Sequence, residues 1–203
     1  MYITYLLLAV TILISVKAIE DNVLKGRLLL NPYDVTHFKK WYRTFTHAFI
    51  HADWMHLGFN MYVLYSFGEV LEKSLVYRYE LWGHALFAFL YLSAILMASL
   101  YSINKHKDNP SYNALGASGA VMAVLFAFIL MNPTIELGLL FLPIYVPAYI
   151  FGPLILVAEY FLAKRGGTGI AHDAHISGAI YGVIFMSCVD LDYLANFLNH
   201  FTR

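Results

Sequence analysis

Six stretches of nearly unbroken apolar residues divide the chain, at about 3–19, 54–71, 81–103, 117–131, 147–163 and 174–189, with most charged residues gathered between them. Each approaches the roughly 20 apolar residues that a helix needs to cross a hydrocarbon layer. Ten-residue segments of alternating polarity, the mark of a membrane barrel, do not occur. The pattern predicts an all-α, polytopic membrane protein, six transmembrane helices in a compact bundle. Residues 1–203 read as a single membrane domain without internal repeats. No Lys or Arg precedes the first stretch and no small-x-small cleavage site follows it, so it reads as a retained helix rather than a signal peptide.

The connections differ in character. Residues 20–40 are charged but carry Val23, Leu28, Leu29, Leu30 and Phe38 around Asn31-Pro32, which suits a segment lying on the bilayer surface. Residues 105–112 form a polar loop broken at Asn109-Pro110. Residues 131–147 hold Pro133, Pro143 and Pro147 and predict a cramped re-entry rather than a clean helix. Residues 164–168 are a basic, glycine-rich turn, and 191–203 a polar tail.

Composition sharpens this picture. The chain is 60% hydrophobic and 13% charged, against roughly 45–50% and about 25% in soluble domains, so its polar groups cannot cover its surface and its solvent is lipid. A net charge of zero leaves no basic footprint for nucleic acid. The single cysteine, Cys188, cannot form an internal disulfide. With six spans both termini share one face. Lys73, Arg78 and Arg203 then lie on that face and the other ten basic residues opposite, which by the positive-inside rule puts the termini outside.

Strongly polar side chains inside spans are costly and mark function by default. His47, His51, His56 and Asn60 cluster at the start of the second span, Ser118 at the start of the fourth, and His172 and His175 at the start of the sixth, all on the face opposite the termini. Ser118 is flanked by Gly116, Ala117, Gly119 and Ala120, small enough for a neighbouring helix to approach closely; an isolated serine there is also an ordinary helix cap. Ala174, Gly178 and Gly182 recur every four residues, a small-residue stripe for tight packing in lipid. If that stripe meets the Gly119–Ala120 face, His175 is carried toward the Ser118 hydroxyl. His56 and Asn60, at i and i+4, share a helix face and offer two neutral donors, which serve an acyl-transfer oxyanion or simply bond helices together.

The order H-x-x-x-N at His56 and Asn60, G-x-S-G at Gly116 to Gly119, and A-H-x-x-G-x-x-x-G from Ala174 through Gly178 and Gly182 resembles the rhomboid family of intramembrane serine proteases. The resemblance implies hydrolysis of peptide bonds in or near the membrane helix of single-span client proteins by a Ser-His dyad, without a carboxylate, metal or cofactor. Ser118 would be the nucleophile and His175 the general base. His56, Asn60 and the Ser118 backbone N–H would form the oxyanion hole, with Gly116 shaping its loop. Arg43 aligns with a W-R signature in the first long loop, where Tyr42 separates it from Trp41. Met122 stands where many members place a tyrosine that stacks on the catalytic histidine; its thioether can also contact an imidazole. No Asp or Glu on the sixth span can reach His175, so packing is expected to orient it. Gly166, Gly167 and Gly169 would allow a mobile cap to admit substrate. The resemblance further implies a bacterial inner membrane, cytoplasmic termini and a site opening outside, against the charge count.

Two other readings compete. A pseudoprotease would bind membrane clients through the same architecture, although such relatives have usually lost the Ser or His that both stand here. A di-iron oxidase would use the His51-x4-His56 and His172-x2-His175 spacings, but needs about eight clustered imidazoles, and His37, His84, His106 and His200 are scattered.

Overall fold

Most of the apolar stretches fold as helices in the computed structural model, which describes residues 2–138, 145–165 and 171–200. Helix α1 spans Ile3–Glu20. The expected surface segment folds as two short helices, α2 (Asn22–Leu28), which buries no residue, and α3 (Pro32–Phe38). Asp21 caps the first by accepting from the Val23 and Leu24 N–H groups, and Asn31 the second by accepting from the Asp34 N–H. Helix α4 (Arg43–Thr46) and a 3₁₀ turn, His47–Phe49, lead into α5 (Trp54–Val63).

The second apolar stretch runs further than its hydropathy indicates. After α5, a π-helical turn at Leu64–Gly68 continues into α6, Glu69–Tyr79. The rod survives past Glu72 because that fully buried carboxylate is satisfied from elsewhere. It accepts from the Ile3 N–H at 2.7 Å, from the Thr4 N–H at 2.9 Å and from the Thr4 hydroxyl at 2.7 Å, and lies 2.6 Å from His84 Nδ1. It thus caps the amino end of α1, where open N–H groups favour a negative charge.

Helix α7, Leu81–His106, is followed by the polar loop and by α8, Ser118–Met131. Every position of α8 from 119 to 130 is buried, which makes it the axis of the bundle. Its 14 residues measure about 21 Å, short of a hydrocarbon layer of roughly 30 Å. Of the described helices, α1 and α7 are each long and apolar enough to cross a membrane. The pair α10 (His172–Val189) and α11 (Leu191–Asn199), bent by 112°, reaches that length and hydropathy only when its two helices are taken together. The bundle is therefore a helical membrane fold, while six full crossings exceed what helix length and hydropathy support by themselves. Helix α8 is short, α6 is charged, and α9 (Ala148–Arg165) contains Pro153 and Glu159 and ends in Lys164 and Arg165.

Two connections take their own forms. In the proline-rich stretch, expected not to form a clean helix, the described residues Glu136–Gly138 (β1) pair antiparallel with Tyr145–Pro147 (β2). Prolines remove helix donors but are tolerated at a strand end. Pro143 and the cap glycines Gly166, Gly167 and Gly169 lie outside the described residues, as does Arg203. The tail at 191–199 is amphipathic rather than simply polar. Asp190 caps α11, and Leu194 and Phe197 turn inward against the core, the i, i+3 repeat of a surface helix.

Helix α10 packs on α8 through the glycine stripe. A Cβ at Gly178 would lie 2.0 Å from the Gly119 carbonyl oxygen, and one at Gly182 would lie 2.2 Å from that of Ala123. The stripe therefore meets Gly119 and Ala123, one turn apart, with α7 closing the third side where Ala98 faces Gly119.

Candidate active site

The close approach of α8 and α10 puts their amino ends side by side. The Ser118 hydroxyl and His175 Nε2 share a hydrogen bond of 2.6 Å, short for a contact of this kind. Ser118 is half-buried and begins α8, directly after the loop at 113–117.

That loop is clamped by the residues before α5. The Gly116 N–H donates to the His47 carbonyl at 2.9 Å, and Leu30 and Ala114 exchange two backbone bonds, each 2.9 Å. The Ala117 N–H donates to His51 Nε2 at 3.3 Å. The tautomer of His51 follows from its other partner. The Ser15 hydroxyl donates to the Phe49 carbonyl at 2.9 Å, so at 2.8 Å it accepts from His51 Nδ1–H, leaving Nε2 as acceptor. Gly116 has φ +114°, and a Cβ there would meet His56 Cε1 at 2.8 Å and Nε2 at 2.9 Å. Only glycine allows both the backbone turn and the imidazole against it.

Asn60 is buried and donates through Nδ2 to the His56 carbonyl at 3.1 Å, which leaves one amide N–H for another acceptor. Arg43 lies deeper than a surface loop suggests. Its guanidinium donates to the carbonyls of Gly26 at 3.0 Å and Leu29 at 2.7 Å and pairs with Asp34 at 3.3 Å, tying α2 and α3 to α4. Trp41, by contrast, is exposed. Met122 is buried in an apolar cluster with Phe126 and Ala179, one turn along α10 from His175. Ser118 lines a cavity of about 20 Å³ together with His47, Ser99 and Gly116, room for about one water molecule.

A carboxylate that sequence reasoning passed over reaches the site from α9. Glu159 Oε2 lies 2.5 Å from His172 Nδ1 and Glu159 Oε1 lies 3.0 Å from His175 Nδ1. The first is a hydrogen bond. The second is within ion-pair reach but off the line of a hydrogen bond, so His175 Nδ1 has a charge beside it and no good acceptor. The expectation that packing alone orients His175 is corrected accordingly. Asp173, the nearby acid on α10, is taken up by Lys105 at 2.7 Å. The signal was present as an acid inside an otherwise apolar run, but it came from the fifth stretch rather than the sixth. Among the described residues, the donors that gather in metal-binding fashion are Glu159, His172 and His175, not the many imidazoles of a di-iron centre.

Burial of the clamp histidines has a measurable consequence. Loss of solvent pushes His47 from an ordinary 6.5 down to about 4. Burial, reinforced by the neighbouring His56 and partly opposed by Asp53, pushes His51 down to about 3. Both are neutral in the fold, so the unfolded chain binds more protons once the pH drops below about 6.5. Their stabilisation is whole above that pH and declines as pH falls toward the folded values. The thermal midpoint in detergent is expected to drop between pH 7 and pH 4.5, and His51→Gln to flatten the decline; a midpoint independent of pH would contradict this.

Comparison with known proteins agrees with the architecture. The Rhomboid domain profile matches residues 39–189. The presenilin-associated rhomboid-like protein, mitochondrial, of Mus musculus is 30% identical over 144 residues, 69% of this chain and 36% of that protein. Rhomboid protein 1, mitochondrial, of Saccharomyces cerevisiae is 32% identical over 145 residues, 68% of this chain and 39% of its own length. Rhomboid-like protein 11, chloroplastic, of Arabidopsis thaliana is 27% identical over 180 residues, 83% of this chain and 59% of its own. The chain thus spans little more than a third of the first two and less than two thirds of the last. All three have organellar names, and none supports the expected bacterial inner membrane. Because the matched region runs from just before the Arg43 loop to the end of α10 and includes every residue of the site, this chain belongs to the rhomboid family.

Proposed function

We propose that the chain is an intramembrane serine endopeptidase that cuts the membrane-spanning helices of single-span clients, with Ser118 as nucleophile and His175 as general base. The observation that carries this reading is the 2.6 Å hydrogen bond from Ser118 Oγ to His175 Nε2. Ser118 Oγ attacks the scissile carbonyl while Nε2 takes its proton; the imidazolium then returns that proton to the departing amine. Water attacks the acyl-serine in the reverse sense and restores the hydroxyl. Glu159, 3.0 Å from Nδ1, favours the tautomer with Nδ1 protonated and steadies the imidazolium charge.

The oxyanion that forms at each step would be met by the Ser118 N–H, His56 and the spare Asn60 N–H. His56 is already held against Gly116 and Asn60 is already buried, so neither needs much reorganisation. His56→Ala or Asn60→Ala is expected to lower kcat by about 10- to 1000-fold with a smaller change in KM. An unchanged kcat in both variants would remove the oxyanion assignment.

In this reading six helices traverse the bilayer with both termini on one face, and the shortness of α8 leaves Ser118 below the headgroups. Clients would unwind easily near the cut, at Gly, Ala, Ser or Pro, since a carbonyl locked in a helix is already hydrogen-bonded. The experiment is to treat the detergent-purified protein with a fluorophosphonate probe and separately with such a helical substrate. Labelling at Ser118 together with cleavage supports the reading. A folded protein that neither labels nor cleaves would instead point to a client-binding pseudoprotease.

A further inference from the structure

Hydrolysis uses Nε2 of His175; the opposite edge of that ring belongs to a second constellation. Ligand atoms of Glu159, His172 and His175 all lie within 4.8 Å of one another, Glu159 from the second half of α9 and the histidines from the first turn of α10. Their side chains are 16%, 5% and 13% exposed, so the cluster is largely shielded from solvent. His175 Nδ1 is a buried nitrogen without a hydrogen bond, aimed into the cluster. Two imidazole nitrogens and one carboxylate oxygen form a donor set suited to zinc and other borderline-soft divalent ions, with a fourth position left to water. Metal–ligand distances near 2.0–2.2 Å place tetrahedral ligands roughly 3.5 Å apart, so side-chain shifts of about 1 Å convert the cluster into a coordination shell.

We propose that Glu159, His172 and His175 form a binding site for a divalent transition ion of the Zn²⁺ type, and that occupation of this site silences the base. The inhibitory half rests on the proteolytic reading; the binding half does not. The ion takes the Nδ1 lone pair of His175, and the ring proton formerly on Nδ1 moves to Nε2. The ring stays neutral with one proton. Nε2 now faces Ser118 as a donor, with no lone pair to receive the serine proton, and the adjacent cation opposes further protonation. No covalent bond to carbon changes, so removal of the ion restores the base. Magnesium, which prefers oxygen ligands and keeps its waters, does not substitute.

The test uses protein without a polyhistidine tag, stripped of metal, in detergent. Added Zn²⁺ is expected to suppress substrate cleavage and fluorophosphonate labelling together, a chelator to restore both, and Mg²⁺ at the same concentration to do neither. His172→Gln keeps an amide donor for Glu159 but withdraws a ligand, and is expected to raise the half-inhibitory Zn²⁺ concentration about 10- to 100-fold. Binding is read separately from catalysis on Ser118→Ala protein, competed against a colorimetric zinc indicator. It is expected to hold one equivalent more than the Ser118→Ala/His172→Gln double variant. Equal zinc sensitivity with and without His172, or no extra equivalent, overturns the site. Binding without inhibition overturns the silencing. An extra equivalent bound by a chain whose metal-free form cleaves nothing leaves the site standing and removes the protease.

Discussion

Ser118→Ala is expected to reduce cleavage by about 10⁴-fold or more and to abolish fluorophosphonate labelling, with little change in thermal stability. The hydroxyl is half-buried, and its one described side-chain bond is the 2.6 Å contact with His175, so its loss deletes the nucleophile without opening a cavity of consequence. His175→Asn should fall comparably, because residues acting as one unit are not additive, and the double variant should be no worse than either single one. Glu159→Gln separates a dyad from a triad. If the carboxylate holds the ring and steadies its charge, kcat drops about 10- to 100-fold, as for other partners behind a functional imidazole, KM stays nearly fixed, and Glu159→Asp recovers part of the loss. Full turnover by Ser118→Ala would end the nucleophile assignment, and full turnover by Glu159→Gln would return the site to two residues.

What the sequence disclosed about this site depended on whether the signal was local. Gly178 and Gly182 lie on the same helix as His175, and their spacing announces close packing wherever they occur; the pairing of that face with the neighbourhood of Ser118 followed. Glu159 was hidden because its meeting with His172 and His175 is made by the packing of α9 beside α10, which no periodicity records. Glu72 misled in the same way. A carboxylate in a fading apolar run reads as the end of a span, yet here the amino terminus of α1, 68 residues away, supplies its donors. The role of His51 was equally out of reach, since it depends on Ser15 and on the Ala117 N–H. Polar residues in a bilayer protein are intelligible one by one as costs; their partners are properties of the fold.

Gly178→Ala tests whether the distance between α8 and α10 sets the geometry of the reacting pair. The new methyl would lie 2.0 Å from the Gly119 carbonyl oxygen, a backbone atom that no rotamer change removes. Carbon and oxygen need more than 3 Å, so the helices must separate by about 1 Å or more locally. Overpacking of this kind costs about 1–3 kcal/mol, and the damage falls on function as well, because Gly178 is one turn from His175 and Gly119 directly follows Ser118. A displacement of about 1 Å in a reacting pair lowers the rate about 10²-fold. Gly178→Ala is therefore expected to lower both the thermal midpoint and kcat, and Gly178→Val to lower them further, while Gly26→Ala, where nothing lies within 4 Å of the added carbon, should leave both close to wild type. A Gly178→Ala protein with unchanged midpoint and turnover would mean that the two helices can slide apart without moving the serine from the imidazole, and that the small-residue stripe serves packing alone.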